Sequence, residues 1–196
     1  MVMQHLALKI RHAFNLKRFI FLLSAALLST WYGLFWSVDY FAELTNGLRF
    51  MDMQPALDVE SLFEQIRSYD ELAAEFYLWW SLFDYAWPFI TFTTMVVITA
   101  WLVGFLSDRW QRWFPLPMSA AYITVLMDWF ENLGFAILII VRPAEPLWLA
   151  EITLGLHATK LLFNLLFNLG FLLVLVTVVS VKIKLWVTAI RQWIVR

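Results

Sequence analysis

Asp84, Asp128, Glu131 and Lys160 stand inside stretches of the chain that are otherwise almost wholly apolar. A charged side chain at the centre of a membrane helix costs about 2.5–3.5 kcal/mol on insertion scales, and such residues normally face a bundle interior and mark a functional site. Carboxylates grouped with a lysine can hold a proton, bind a cation or act as a general acid. Spacing supports grouping. Asp128, Glu131 and Asn132 fall at i, i+3 and i+4, on one side of a helix. His157, Lys160, Asn164 and Asn168 fall within an arc of about 80° at 100° per residue. With three acids and one lysine ionised, the layer would carry a net charge of −2. At least one carboxyl is therefore expected to hold a proton at neutral pH, or a cationic group to be bound. The candidate ligand- or proton-binding set is Asp84, Asp128, Glu131, Asn132, His157, Lys160 and Asn164.

The elements that position these residues follow from hydropathy. About 20 helical residues cross a hydrocarbon core of ~30 Å. Four runs are long enough, at about 19–38, 77–107, 118–141 and 154–181, with an aqueous segment at 39–76. At 1.5 Å per residue the charges of spans two, three and four lie roughly 10–20 Å below one boundary, in a common layer. Pro88 cannot donate to the carbonyl of Asp84, so a freed carbonyl and a kink are expected there.

Composition bounds the class. Of 196 residues, 62% are hydrophobic and 15% charged, against ~25% charged in an ordinary soluble domain. The expected fold is all-α: one integral membrane four-helix bundle over residues 1–196, with a short periplasmic amphipathic helix between spans one and two. The chain has no Cys, which excludes disulfides, thiolate metal sites and a thiol nucleophile. No basic stripe with interleaved aromatics is present, so nucleic acid is not an expected partner. Gly-rich phosphate loops, G-x-S-x-G and H-E-x-x-H are missing, and no cofactor is expected. No metal is expected either, because the Glu-x-x-His pairs of di-metal bundles do not occur.

Ten Lys and Arg residues flank one side, in 1–18, at Arg109 and Arg112 and in the tail beyond 181; Arg49, Arg67 and Arg142 lie on the other. The positive-inside rule puts both termini in the cytoplasm of a bacterial inner membrane. Expected partners are membrane lipids, with a homo-oligomer or a larger membrane complex open. The termini, 1–18 and 182–196, read as basic amphipathic helices on the inner surface. An outer amphipathic helix is expected from Val59, Leu62, Phe63 and Ile66, N-capped by Asp58. Ser68-Tyr69-Asp70-Glu71 has the form of a capping box opening the second span. The sequences Pro115-Leu116-Pro117 and Pro143-Ala144-Glu145-Pro146 read as tight turns. Trp36, Trp79, Trp80, Trp87 and Trp148 read as an outer aromatic belt, and Trp110 and Trp113 as an inner one. His157 reads first as interfacial, and Trp129 as packing against lipid.

The order Leu48-Arg49-Phe50-Met51-Asp52-Met53, Phe83-Asp84-Tyr85-Ala86-Trp87-Pro88, Asp128-Trp129-Phe130-Glu131-Asn132 and Lys160 resembles a family of short four-span bacterial inner-membrane proteins. The resemblance covers about 45–170 and is carried chiefly by the D-x-x-E-N element in the third span. It implies the four-helix fold and the inner-membrane location, and nothing about chemistry.

Three functions are compatible with these residues. The layer could bind a small polar or cationic group or a proton. It could serve a membrane enzyme acting on a lipid or isoprenoid, with Asp128 or Glu131 as general acid. It could instead belong to a structural or assembly subunit whose polar core only sets helix register.

Overall fold

A computed structural model describes residues 6–194 of the chain. The expectations for residues 1–5, 195 and 196, and for the side chains of Arg191 and Trp193, lie outside the described residues. Helix α1 (Leu6–Ala13) is short and breaks at Asn15, whose side chain caps α2 by accepting from the backbone N–H of Arg18 at 3.0 Å. Helix α2 (Leu16–Leu44) is a single rod with a π-helical turn at Tyr32–Ser37. Asn46 and Gly47, at φ 57° and 101°, then turn the chain, a conformation that Asn and Gly adopt most readily. A 3₁₀ turn (Met51–Met53) leads to α3 (Val59–Ser68), α4 (Glu71–Val103), the single turn α5 (Asp108–Gln111), α6 (Pro115–Ile140) and α7 (Leu147–Ile194).

Four helical stretches are long and apolar enough to cross a membrane: Leu16–Leu44, Glu71–Val103, Asp108–Ile140 and Leu147–Thr188. The all-α four-helix bundle expected from hydropathy is therefore the fold, and among the described residues there are no strands. Packing runs in a chain, with α2 on α4, α4 on α6, and α6 on α7 along most of its length.

Several local expectations change. The helix of span two opens at Asp70, which accepts from the N–H of Ala73 at 2.8 Å. Ser68 instead closes α3, its hydroxyl donating to the Gln65 carbonyl. A cap must precede the first turn, and Asp70 is the residue whose backbone is extended there. Asp58 does cap α3, through Ser61. Pro115 and Pro117 begin α6 rather than form a turn, because a proline in the first turn forfeits no helical hydrogen bond. The segment after 181 continues α7 without a break as far as Ile194. Helix α4 runs through Pro88, and the indole N–H of Trp129 donates to the neighbouring Tyr85 carbonyl at 2.8 Å. Trp129 thus packs between α6 and α4, not against lipid alone.

Two apolar cores lie at opposite ends of the bundle. In one, the 45–58 segment and α3 fold back over the helices, burying Leu62, Phe63 and Ile66. Phe41, Phe50 and Trp80 stack there, with ring centroids of Phe41–Phe50 at 4.1 Å and Phe50–Trp80 at 4.5 Å, and Tyr77 meets Phe41 and Phe50 edge-on. Trp80 is a core residue, 3% exposed, and not part of an aromatic belt. The other core joins Val96, Ala100, Val103, Phe114, Ala121 and Phe167. On α4, α6 and α7 alike, buried polar residues lie between these two cores: Asp84, then Asp128, Glu131 and Asn132, then His157 and Lys160.

Candidate functional site

Glu131 is fully buried and is the hub of the layer. Its Oε2 lies 2.7 Å from Lys160 Nζ, an ion-pair contact off the angle that a hydrogen bond requires. Lys160 Nζ also lies 3.2 Å from Asp128 Oδ1, and it donates to the backbone carbonyl of Asp52 at 3.2 Å. The second Glu131 oxygen, Oε1, is 2.7 Å from His157 Nδ1, while His157 Nε2 reaches the Gln54 carbonyl at 2.8 Å. A carbonyl only accepts, so Nε2 must carry a hydrogen. The Nδ1–Oε1 contact then needs a second proton, on the ring or on the carboxyl. His157 is 4% exposed and belongs inside the layer, not at the membrane boundary. The reason is the fold-back of the 49–54 segment, which covers that end of α7.

Asp84 and Asp128 are joined through Asn132, whose Nδ2 donates to Asp84 Oδ2 at 2.9 Å and to Asp128 Oδ2 at 3.3 Å. Asp84 and Asn132 are each 1% exposed, yet Asp84 Oδ1 and Asn132 Oδ1 have no hydrogen-bond partner among the described residues. Buried polar atoms are rarely left so, since each costs ~1–3 kcal/mol. The layer is thus two parts: a Glu131–Lys160–His157 knot held by ion pairs, though Glu131 Oε2 accepts no hydrogen bond, and an Asp84–Asn132–Asp128 arc in which Asp84 Oδ1 has neither a hydrogen bond nor an ion-pair partner among the described residues.

Asp52 is a member that reasoning from the spans missed. The 3₁₀ turn lowers it into the layer, where Tyr77 Oη donates to its Oδ1 at 3.4 Å. Burial raises its carboxyl from about 3.8 to about 6, against the opposing pull of Lys160. The available signal was a lone acid flanked by Phe50, Met51 and Met53 in an otherwise polar segment. With Asp52 included, the layer sets four acids against Lys160 and one proton shared by His157 and Glu131, a surplus of two carboxyl groups that must take up protons or meet a cationic partner.

The polar stripe of α7 ends sooner than its spacing suggested. Asn168 is exposed, and its amide donates back to Asn164 Oδ1 at 2.7 Å and to the Asn164 carbonyl at 2.8 Å. Asn164 is half-buried and lines a cavity of about 430 Å³, together with Asp52, Asp84, Asp128 and Lys160. The rest of that lining includes Leu34, Trp87 and Phe92. Trp87 is fixed by its indole N–H, which donates to Thr30 Oγ1 at 2.9 Å.

No protein-family model, no curated protein and no solved structure matches the chain.

Proposed function

We propose that this chain is a binding module of the bacterial inner membrane, whose Asp84–Asn132–Asp128 arc holds a small polar or cationic group, or a proton. The observation that carries this reading is a cavity of about 430 Å³ lined by Asp84 and Asp128, with Asp84 buried and lacking any cationic partner among the described residues. A polar core that only set helix register would be expected to pair its buried charges, as the Glu131–Lys160 contact does and Asp84 does not. The surplus of acids over fixed cations supports a positive occupant. The distribution of Lys and Arg supports cytoplasmic termini, which would set the cavity nearer the outer leaflet.

Carbodiimide labelling tests this. Dicyclohexylcarbodiimide partitions into lipid and activates only protonated carboxyls that it can reach. Full-length protein in lipid nanodiscs should be modified at Asp128 or Asp84, with the adduct located by mass spectrometry. Asp128→Asn and Asp84→Asn should lose the corresponding adduct while eluting as folded protein. Absence of reaction at both acids in the folded protein would argue for a sealed structural network.

A further inference from the structure

The cavity has a second character besides its charge. Trp87, Phe92, Leu34 and Leu161 make part of its wall apolar and aromatic. Its lining also comes from two helices that do not pack on each other. Leu34 belongs to α2, while Lys160, Leu161 and Asn164 belong to α7. Helix α2 rests on α4, and α7 rests on α6 and in part on α4, with no packed α2–α7 pair among the described residues. The π-helical turn of α2 at Tyr32–Ser37 falls at this seam. The end towards α3 is closed. There the 49–54 strip is held by Lys160 on the Asp52 carbonyl and by His157 on the Gln54 carbonyl. Gln65 reinforces it through the Arg49 carbonyl at 2.7 Å. A solute arriving from water meets that plug. One dissolved in the bilayer meets the seam.

We infer that the occupant is an amphiphilic organic ammonium ion, which enters sideways between α2 and α7 and sets its charged head against Asp84 and Asp128. The head would supply positive charge opposite the carboxyl groups of Asp84 and Asp128, both of which line the cavity. The Trp87 ring, held through its hydrogen bond to Thr30, offers a cation–π surface. The hydrocarbon body would lie on Leu34, Phe92 and Leu161. A cavity of about 430 Å³ is within the range of ordinary small-ligand sites, ~300–1,000 Å³. This inference rests on the proposed binding role of the arc and specifies its ligand class.

The probes are radiolabelled n-octylammonium, its uncharged isostere n-octanol, the anion octanoate, and tetramethylammonium as a head without a tail. Binding to the full-length chain in nanodiscs is measured by scintillation proximity, with empty nanodiscs as background. Saturable n-octylammonium binding is expected, at least tenfold tighter than that of the other three. Asp84→Asn and Asp128→Asn should each weaken it tenfold or more, and Trp87→Leu severalfold. Asn164→Leu, which narrows the cavity from a half-buried position, should weaken it with both acids intact. Octanol or octanoate binding as tightly as n-octylammonium would overturn the inference, as would binding indifferent to both Asp substitutions. Tetramethylammonium binding equally well would overturn the amphiphile while leaving a cation site. No saturable binding of any probe, with carbodiimide still labelling Asp128 or Asp84, would overturn it and leave the arc as a proton site.

Discussion

His157 Nδ1 lies 2.7 Å from Glu131 Oε1, with the other ring nitrogen already committed to the Gln54 carbonyl at 2.8 Å. That pair ties α7 to α6 and to the segment over the bundle end in one step. Because both ring nitrogens face acceptors, one mobile proton is built into the contact. Removing either partner strands the other in a buried place, so the single substitutions should not be additive. In a double-mutant cycle, His157→Ala and Glu131→Gln are expected to couple by ~1–3 kcal/mol, read from unfolding in nanodiscs. Strict additivity would show that the contact contributes nothing to the knot.

Asp52 should give the stability a measurable pH dependence. Its carboxyl is raised to about 6 in the folded protein, chiefly by burial. Between about pH 4 and about pH 6 the folded chain keeps a proton that the unfolded chain has released. Stability attributable to this group is therefore highest in acid, falls as pH rises through that window, and is level above it. Asp52→Asn removes the cost of burying the charge. The variant should match or exceed the parent in melting temperature near neutral pH, with the advantage vanishing near pH 4. Destabilisation of equal size at every pH would contradict this assignment.

Gly134 sets how closely α6 and α7 approach at the level of the site. A Cβ placed there would stand 2.1 Å from Thr153 Oγ1 and 3.0 Å from Thr153 Cβ, and Thr153 is fully buried. Gly134→Ala should force the helices apart at a cost of ~1–3 kcal/mol. Thr153→Ala in the same chain should recover most of the loss, because it vacates the space the methyl needs. Lack of rescue would place the origin of the defect elsewhere.

The architecture was legible because hydropathy alone dictates spans: a run with one or two charges in more than 20 residues has few alternatives to crossing a bilayer. Helix ends were less so. Ser68 and Asp70 both carry cap chemistry, and only the backbone decides which uses it. Asp128, Glu131 and Asn132 could be grouped because a helix fixes their relation, and the structure puts Asp84, His157 and Lys160 beside them. Asp52 and Gln54 could not be grouped this way. They reach the layer through a fold-back whose register depends on Phe50 and Met51 finding the aromatic core, which no periodicity records. The same fold-back took His157 out of the interface. Asn168 misled in the opposite sense, since a polar residue on a helix can satisfy itself within its own turn.

Asp84 decides between a site and a scaffold. If its carboxylate is kept for binding, it is a burden on the fold, and neutralising it should relieve that burden. The measurement is the thermal stability of Asp84→Asn against the parent chain, both in nanodiscs without added ligand. An unchanged or higher melting temperature is expected, since the amide oxygen can still accept from Asn132 and a buried charge is gone. A loss of ~2 kcal/mol or more would mean that the ionised carboxylate holds the helices together, and that the arc is part of the scaffold.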